Sequence, residues 1–75
     1  PFSGQTVIEF ELPARTEVEL VVSDVLGQKE ILVNQTLNAG NHKVTWTPAN
    51  KVNSVYYYTL ITPQFVSTRK MIMKK

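Results

Sequence analysis

The sequence predicts an all-β fold, an antiparallel β-sandwich or small barrel, and three observations carry that prediction. Apolar and polar residues alternate with period two in successive short segments. Breaks built from proline, glycine, asparagine and aspartate come roughly every 11 to 14 residues. No stretch shows a 3.6-residue apolar period with helix caps. The pattern predicts six strands, with room for a short seventh near Leu37.

Thr6-Val7-Ile8-Glu9-Phe10-Glu11-Leu12 alternates, so Ile8, Phe10 and Leu12 face inward and the two glutamates face water. Pro13-Ala14-Arg15 ends that strand, and Thr16 to Val22 alternates again with Val18, Leu20 and Val22 inward. Asp24-Val25-Leu26-Gly27 sets aspartate and glycine at the first and fourth positions of a type I turn, where each is favoured. Gln28 to Val33, interrupted by Lys29-Glu30, reads as a weaker strand at a sheet edge. Asn38-Ala39-Gly40-Asn41 is the next turn, and His42-Lys43-Val44-Thr45-Trp46 the next alternating strand. Thr47 to Asn53 forms the longest loop.

The last third is the densest. In Val55-Tyr56-Tyr57-Tyr58-Thr59-Leu60-Ile61 both faces are apolar or aromatic, which predicts a strand in the middle of a sheet and covered on each side. Thr62-Pro63-Gln64 breaks it, because proline fixes φ and donates nothing to a ladder. Phe65 opens the final strand, which ends Arg69-Lys70-Met71-Ile72-Met73-Lys74-Lys75, an apolar triplet between two basic pairs.

Seventy-five residues at 43% hydrophobic content suit one domain with one modest core. There is no cysteine, so disulfides, thiolate metal ligands and thiol nucleophiles are excluded. No apolar run reaches the length of a membrane-spanning helix. A chain opening at Pro1 without a signal peptide reads as a domain cut from a longer precursor. All six acids lie in residues 1–30 with only Arg15 and Lys29 as bases, while residues 31–75 hold six bases and no acid. That asymmetry predicts either an acidic partner or a late basic strand lying beside the early acidic ones and neutralising them.

Catalytic chemistry has little to build on. His42 is the one histidine, and alternation puts it on the apolar face of Val44 and Trp46, where a structural role is expected. Ser23 and Asp24 are adjacent on a strand, point to opposite faces and do not line up behind an imidazole. One histidine with scattered carboxylates is no metal site, three isolated glycines form no phosphate loop, and no cofactor is expected. A pI near 9.2 with Tyr56, Tyr57 and Tyr58 beside a basic segment raises a nucleic-acid platform. The tyrosines split between two faces and the bases cluster at one end, so core tyrosines are preferred and no nucleic-acid partner is expected. Asn34-Gln35-Thr36 matches a glycosylation sequon, relevant only in a eukaryotic secretory pathway.

Taken in order, these segments resemble the C-terminal sorting domain (type A) of proteins exported by the type IX, or Por, secretion system of Bacteroidetes. The resemblance covers the whole chain: Pro1 followed by the Ile8-Phe10-Leu12 alternation, then Asp24 to Gly27 closing the second strand. Ala39-Gly40 leads into His42-Val44-Trp46, Val55 to Tyr58 forms the aromatic strand, and Arg69 to Lys75 is the basic-apolar-lysine end. Ser54 stands where that family usually has glycine, and Pro63-Gln64 replaces its glycine-containing turn. The resemblance implies an immunoglobulin-like β-sandwich of six to seven strands, residues 1–75 being one sorting domain at the C-terminus of a precursor. It further implies a sorting signal without catalytic activity that directs a covalently linked N-terminal cargo across the outer membrane, through the periplasm to the cell surface or medium. The implied partners are the type IX translocon and a cell-surface sortase. Arg69, Lys70, Met71, Ile72, Met73, Lys74 and Lys75 are the implied translocon-recognition residues. The alternative is an immunoglobulin- or fibronectin-like spacer or binding module within a surface enzyme.

Overall fold

A computed structural model describes residues 4–48 and 55–73. Six strands follow one another: β1 (Thr6–Leu12), β2 (Thr16–Asp24), β3 (Lys29–Leu37), β4 (Gly40–Trp46), β5 (Val55–Ile61) and β6 (Val66–Ile72). Among the described residues there is no helix. The strands form two antiparallel sheets, β1-β4 and β3-β2-β5-β6. Only β2–β3 and β5–β6 are hairpins. The links β1–β2, β3–β4 and β4–β5 each pass from one sheet to the other, as in immunoglobulin-like sandwiches.

The alternation places the core as the sequence predicts. Ile8, Phe10 and Leu12 from β1 meet Val18, Leu20 and Val22 from β2, joined by Trp46, Tyr56, Leu60, Met71 and Met73. Leu32, Val33, Leu37, Val44 and Tyr58 pack around this cluster. Burying each large apolar side chain here contributes roughly 1.5–3 kcal/mol, the main favourable term in a domain this small.

The Asp24 turn is tied twice. The Gly27 amide donates to the Asp24 carbonyl at 3.2 Å, and Asp24 Oδ1 accepts from the amides of Leu26 and Gln28 at 2.9 Å each. Gly27 takes φ +86°, where a β-carbon would be strained. The β5–β6 turn is held by Thr62, whose hydroxyl accepts from the Gln64 and Phe65 amides at 3.2 and 3.1 Å. The Thr62 amide closes this turn onto the Phe65 carbonyl at 2.9 Å.

Several expectations are corrected. There is no seventh strand near Leu37 among the described residues, because β3 runs on to Leu37 as an edge strand. Between Leu20 and Val21 the register slips, with Val33 and Ile31 as successive partners and Leu32 as the extra residue. This bulge turns both Leu32 and Val33 toward the core. The strand expected over Gln28 to Val33 in fact continues through the polar Asn34-Gln35-Thr36 to Leu37. Asn38-Ala39 alone links β3 to β4, since Gly40 and Asn41 already pair with Leu12 and Glu11. Phe65 closes the last turn instead of opening β6.

β5 does lie inside a sheet, between β2 and β6, but it is covered on one face only. The chain measures 37 × 21 × 16 Å, and two sheets about 10 Å apart account for the smallest dimension. No described element lies over Val55, Tyr57, Thr59 and Ile61, which stay half-buried. The basic last strand does not lie beside the acidic ones: β6 pairs only with β5, setting Arg69 opposite Tyr58 and Lys70 opposite Tyr57. The acid-base neighbours in the ladder are Glu9 and Lys43, across β1 and β4. The loop expected over Thr47 to Asn53 falls largely in residues 49–54, outside the described residues, as do Pro1, Lys74 and Lys75.

Candidate functional site

The basic C-terminal segment is divided by the pleat of β6. Met71 and Met73 point inward and are 8% and 4% exposed, Met71 pairing with Tyr56 of β5. Arg69, Lys70 and Ile72 are exposed, Ile72 at 44%. A partner reading this segment on the folded domain therefore meets Arg69, Lys70 and Ile72, while the methionines hold the strand to the core. Of the seven residues implied in recognition, the structure describes five, four of them on the edge strand β6 and Met73 immediately after it. Lysine and arginine on an edge strand also discourage pairing with other chains.

Tyr56 and Tyr58 turn to the core and Tyr57 to the opposite face, so the three tyrosines form no stacking platform. Tyr56 packs edge-on against Trp46, ring centroids 4.9 Å apart at 74°. Burial raises the Tyr56 phenol above the ordinary 10.0, and the nearby Asp24 carboxylate raises it further. His42 stacks on Phe10 at 5.4 Å and 25°, and its Nε2 lies 2.8 Å from the Asn38 carbonyl. A carbonyl only accepts, so Nε2 carries the proton. The ring thereby pins the β3–β4 corner, and Arg15 hydrogen-bonds the Asn38 side chain at the same place. Ser23 and Asp24 do not converge on this imidazole: Ser23 sits opposite Tyr57 and Asp24 caps its turn. Among the described residues no three His, Cys, Asp or Glu side chains are grouped to hold a metal ion.

The feature that the sequence did not reveal is the uncovered face of the four-stranded sheet. Residues directly opposite in a ladder share a face, so the register writes it out in rows. Lys29, Ser23, Tyr57 and Lys70 form one row across β3, β2, β5 and β6. Ile31, Val21, Thr59 and Thr68 form the next, where the two threonine hydroxyls meet at 3.1 Å. Asn34, Glu19, Ile61 and Val66 form the third, followed by Thr36 and Glu17. Ile31 and Val66 are 58% and 65% exposed. At the glutamate end an open groove of about 550 Å³ runs between Glu17, Glu19, Asn34, Thr36, Ile61 and Pro63. Lys29 and Lys70 are 41 residues apart in sequence, which is why only the strand order reveals that they share one row, at its two ends.

Fold and surface together define a small antiparallel β-sandwich module whose four-stranded sheet has an outer face that no described element covers, with lysines toward one end and glutamates toward the other. No family model matches the chain, and neither curated proteins nor solved structures give a match.

Proposed function

We propose that this chain is a C-terminal sorting domain of the type IX kind, carrying an attached cargo protein across the outer membrane of a Bacteroidetes cell. The observation that carries the reading is the order of six family-like segments, from Ile8-Phe10-Leu12 to the basic-apolar-lysine end. Their placement supports it. The alternating segments supply the inward faces of β1 and β4, Asp24 to Gly27 makes the β2–β3 turn, and the aromatic strand is β5 inside its sheet. On this reading the domain has no catalytic role. It passes through the periplasm to the cell surface or medium, meeting the translocon and a surface sortase, and the cargo holds the activity.

The test is a fusion of the domain behind a signal peptide and a reporter. A type IX-competent bacterium should display the reporter on its surface, and a strain lacking the translocon should hold it in the periplasm. Equal surface display in both strains overturns the proposal and leaves the immunoglobulin- or fibronectin-like spacer, which the strand connectivity suits equally. Recognition separates from folding at the chain end. Arg69 and Lys70 are exposed, so alanine at both should change stability by no more than about 0.5 kcal/mol, while a recognition role predicts a fall in surface yield. Lys74→Ala with Lys75→Ala is the matching variant for the terminal pair.

A further inference from the structure

We infer that the uncovered face of the four-stranded sheet is a self-association surface, taken by a second copy of this chain packed face to face with its strands antiparallel to the first. The middle of the face is apolar or neutral, with Ile31, Val21 and Thr59 in one row. One end carries the bases Lys29 and Lys70, and the other carries the acids Glu19 and Glu17. Four residues of strand, roughly 13 Å, separate the lysine row from the Glu19 row. A reversed partner packed about 10 Å away, the usual spacing of facing sheets, brings each charged end over the opposite charge.

Charge selects the occupant and its orientation. A basic peptide would satisfy Glu17 and Glu19 but meet Lys29 and Lys70 with like charge. A nucleic acid would meet the lysines and be repelled by the glutamates. A second copy satisfies both ends at once if a twofold axis lies in the interface, across the strands, through the Ile31-Val21-Thr59 row. The Lys29–Lys70 row then lies over the Glu19 row twice: Lys29 sits over Asn34 of the second copy with that copy's Glu19 on the next strand, Lys70 sits over its Val66, and Val21 and Thr59 meet their own counterparts. The other face-to-face arrangement, with strands parallel, puts Lys29 over Lys70 of the second copy at both edges and sets Glu19 over Ile61, leaving the glutamates without a basic partner. The contact is isologous, so it closes at two copies and does not propagate.

Size sets the expected strength. Four strands about 4.8 Å apart and seven residues long cover roughly 19 by 23 Å, on the order of 440 Å² per copy in projection. That is the lower end of specific interfaces, so association should appear at tens of micromolar and above.

The experiment is sedimentation equilibrium of the 75-residue chain from about 10 µM to 1 mM in low salt, with far-UV circular dichroism as the folding check. The wild-type chain should show a monomer–dimer equilibrium that weakens as salt is raised. Glu17→Lys with Glu19→Lys makes an all-basic face, and Lys29→Glu with Lys70→Glu an all-acidic one. Each double variant alone should dimerise at least about tenfold more weakly, and a mixture of the two should associate one to one more tightly than wild type. Thr59→Arg, which sets two arginines against each other on the axis, should abolish the dimer while the fold persists. A wild-type chain that stays monomeric at 1 mM overturns the inference. So does a dimer indifferent to Thr59→Arg, or a mixture of the two charge variants that fails to associate.

Discussion

Trp46→Ala is the sharpest probe of whether the two sheets share one core. Trp46 comes from the two-stranded sheet, is 5% exposed, and packs edge-on against Tyr56 of the other sheet at 4.9 Å. Its indole N–H donates to Glu30 Oε1 on β3 at 3.3 Å, so one side chain joins three strands across the layer boundary. Truncating a buried Trp to alanine costs about 3–5 kcal/mol, from lost transfer free energy and the cavity left behind. The aromatic pair accounts for about 0.5–1.5 kcal/mol beyond its area. The bond to Glu30 adds little, because Glu30 is exposed and water replaces it. A domain of 75 residues has a total stability of about 4–11 kcal/mol at 0.05–0.15 kcal/mol per residue. The variant should therefore lose most of its stability, and Tm should fall by at least about 12 °C. Trp46 is the sole tryptophan, so unfolding of the variant must be followed by far-UV circular dichroism. Trp46→Phe keeps an aromatic ring against Tyr56 and should lose markedly less. An alanine variant melting within about 3 °C of the parent would refute the shared core.

The turns and the buried phenol give three further predictions. Asp24→Ala removes the acceptor of the Leu26 and Gln28 amides and should cost about 1–2 kcal/mol. Asp24→Asn keeps an acceptor oxygen and should cost less, as denaturant titration of the two variants would resolve. Thr62→Val keeps the shape of a buried side chain but strips the partner from the Gln64 and Phe65 amides. It should cost about 1–3 kcal/mol, and a stability equal to wild type would refute the hydroxyl's role. Tyr56 has a raised folded-state pKa, so its contribution is complete below the unfolded value near 10.0 and is lost as pH rises through the folded value. Stability should thus decline more steeply above pH 10 in the parent than in Tyr56→Phe. Parallel pH profiles would exclude Tyr56 as the titrating group.

The residues of the basic end were visible in the sequence, but not their division by the pleat. Arg69 to Met73 reads as one contiguous label, and only the pairing of Tyr56 with Met71 and of Tyr57 with Lys70 assigns the methionines inward and Lys70 outward. The register of β6 depends on the Thr62 turn, whose hydroxyl bonds are local but whose length a proline-containing tripeptide does not specify. The uncovered sheet face was illegible for a different reason. Lys29 and Lys70, or Ile31 and Thr59, fall in one row of one face only through the order β3-β2-β5-β6.

What the chain's local pattern decides by itself is the class of fold and the inward half of each regular strand. Period-two alternation is a property of neighbouring residues, and burying Ile8-Phe10-Leu12 or Val18-Leu20-Val22 admits one facing direction. The Asp24 and Gly27 positions likewise select their turn from bonds within five residues. Which strands become neighbours is decided by tertiary packing, because ladder hydrogen bonds are the same between any two strands and carry no address of their own. The same holds for the bulge at Leu32, which gives up one residue of regular pairing so that Leu32 and Val33 both reach the core. Whether an apolar strand face is covered is decided there as well. Tyr57, Thr59 and Ile61 have the composition of a buried surface, but two strands in the opposing layer are enough to cover only one side of four.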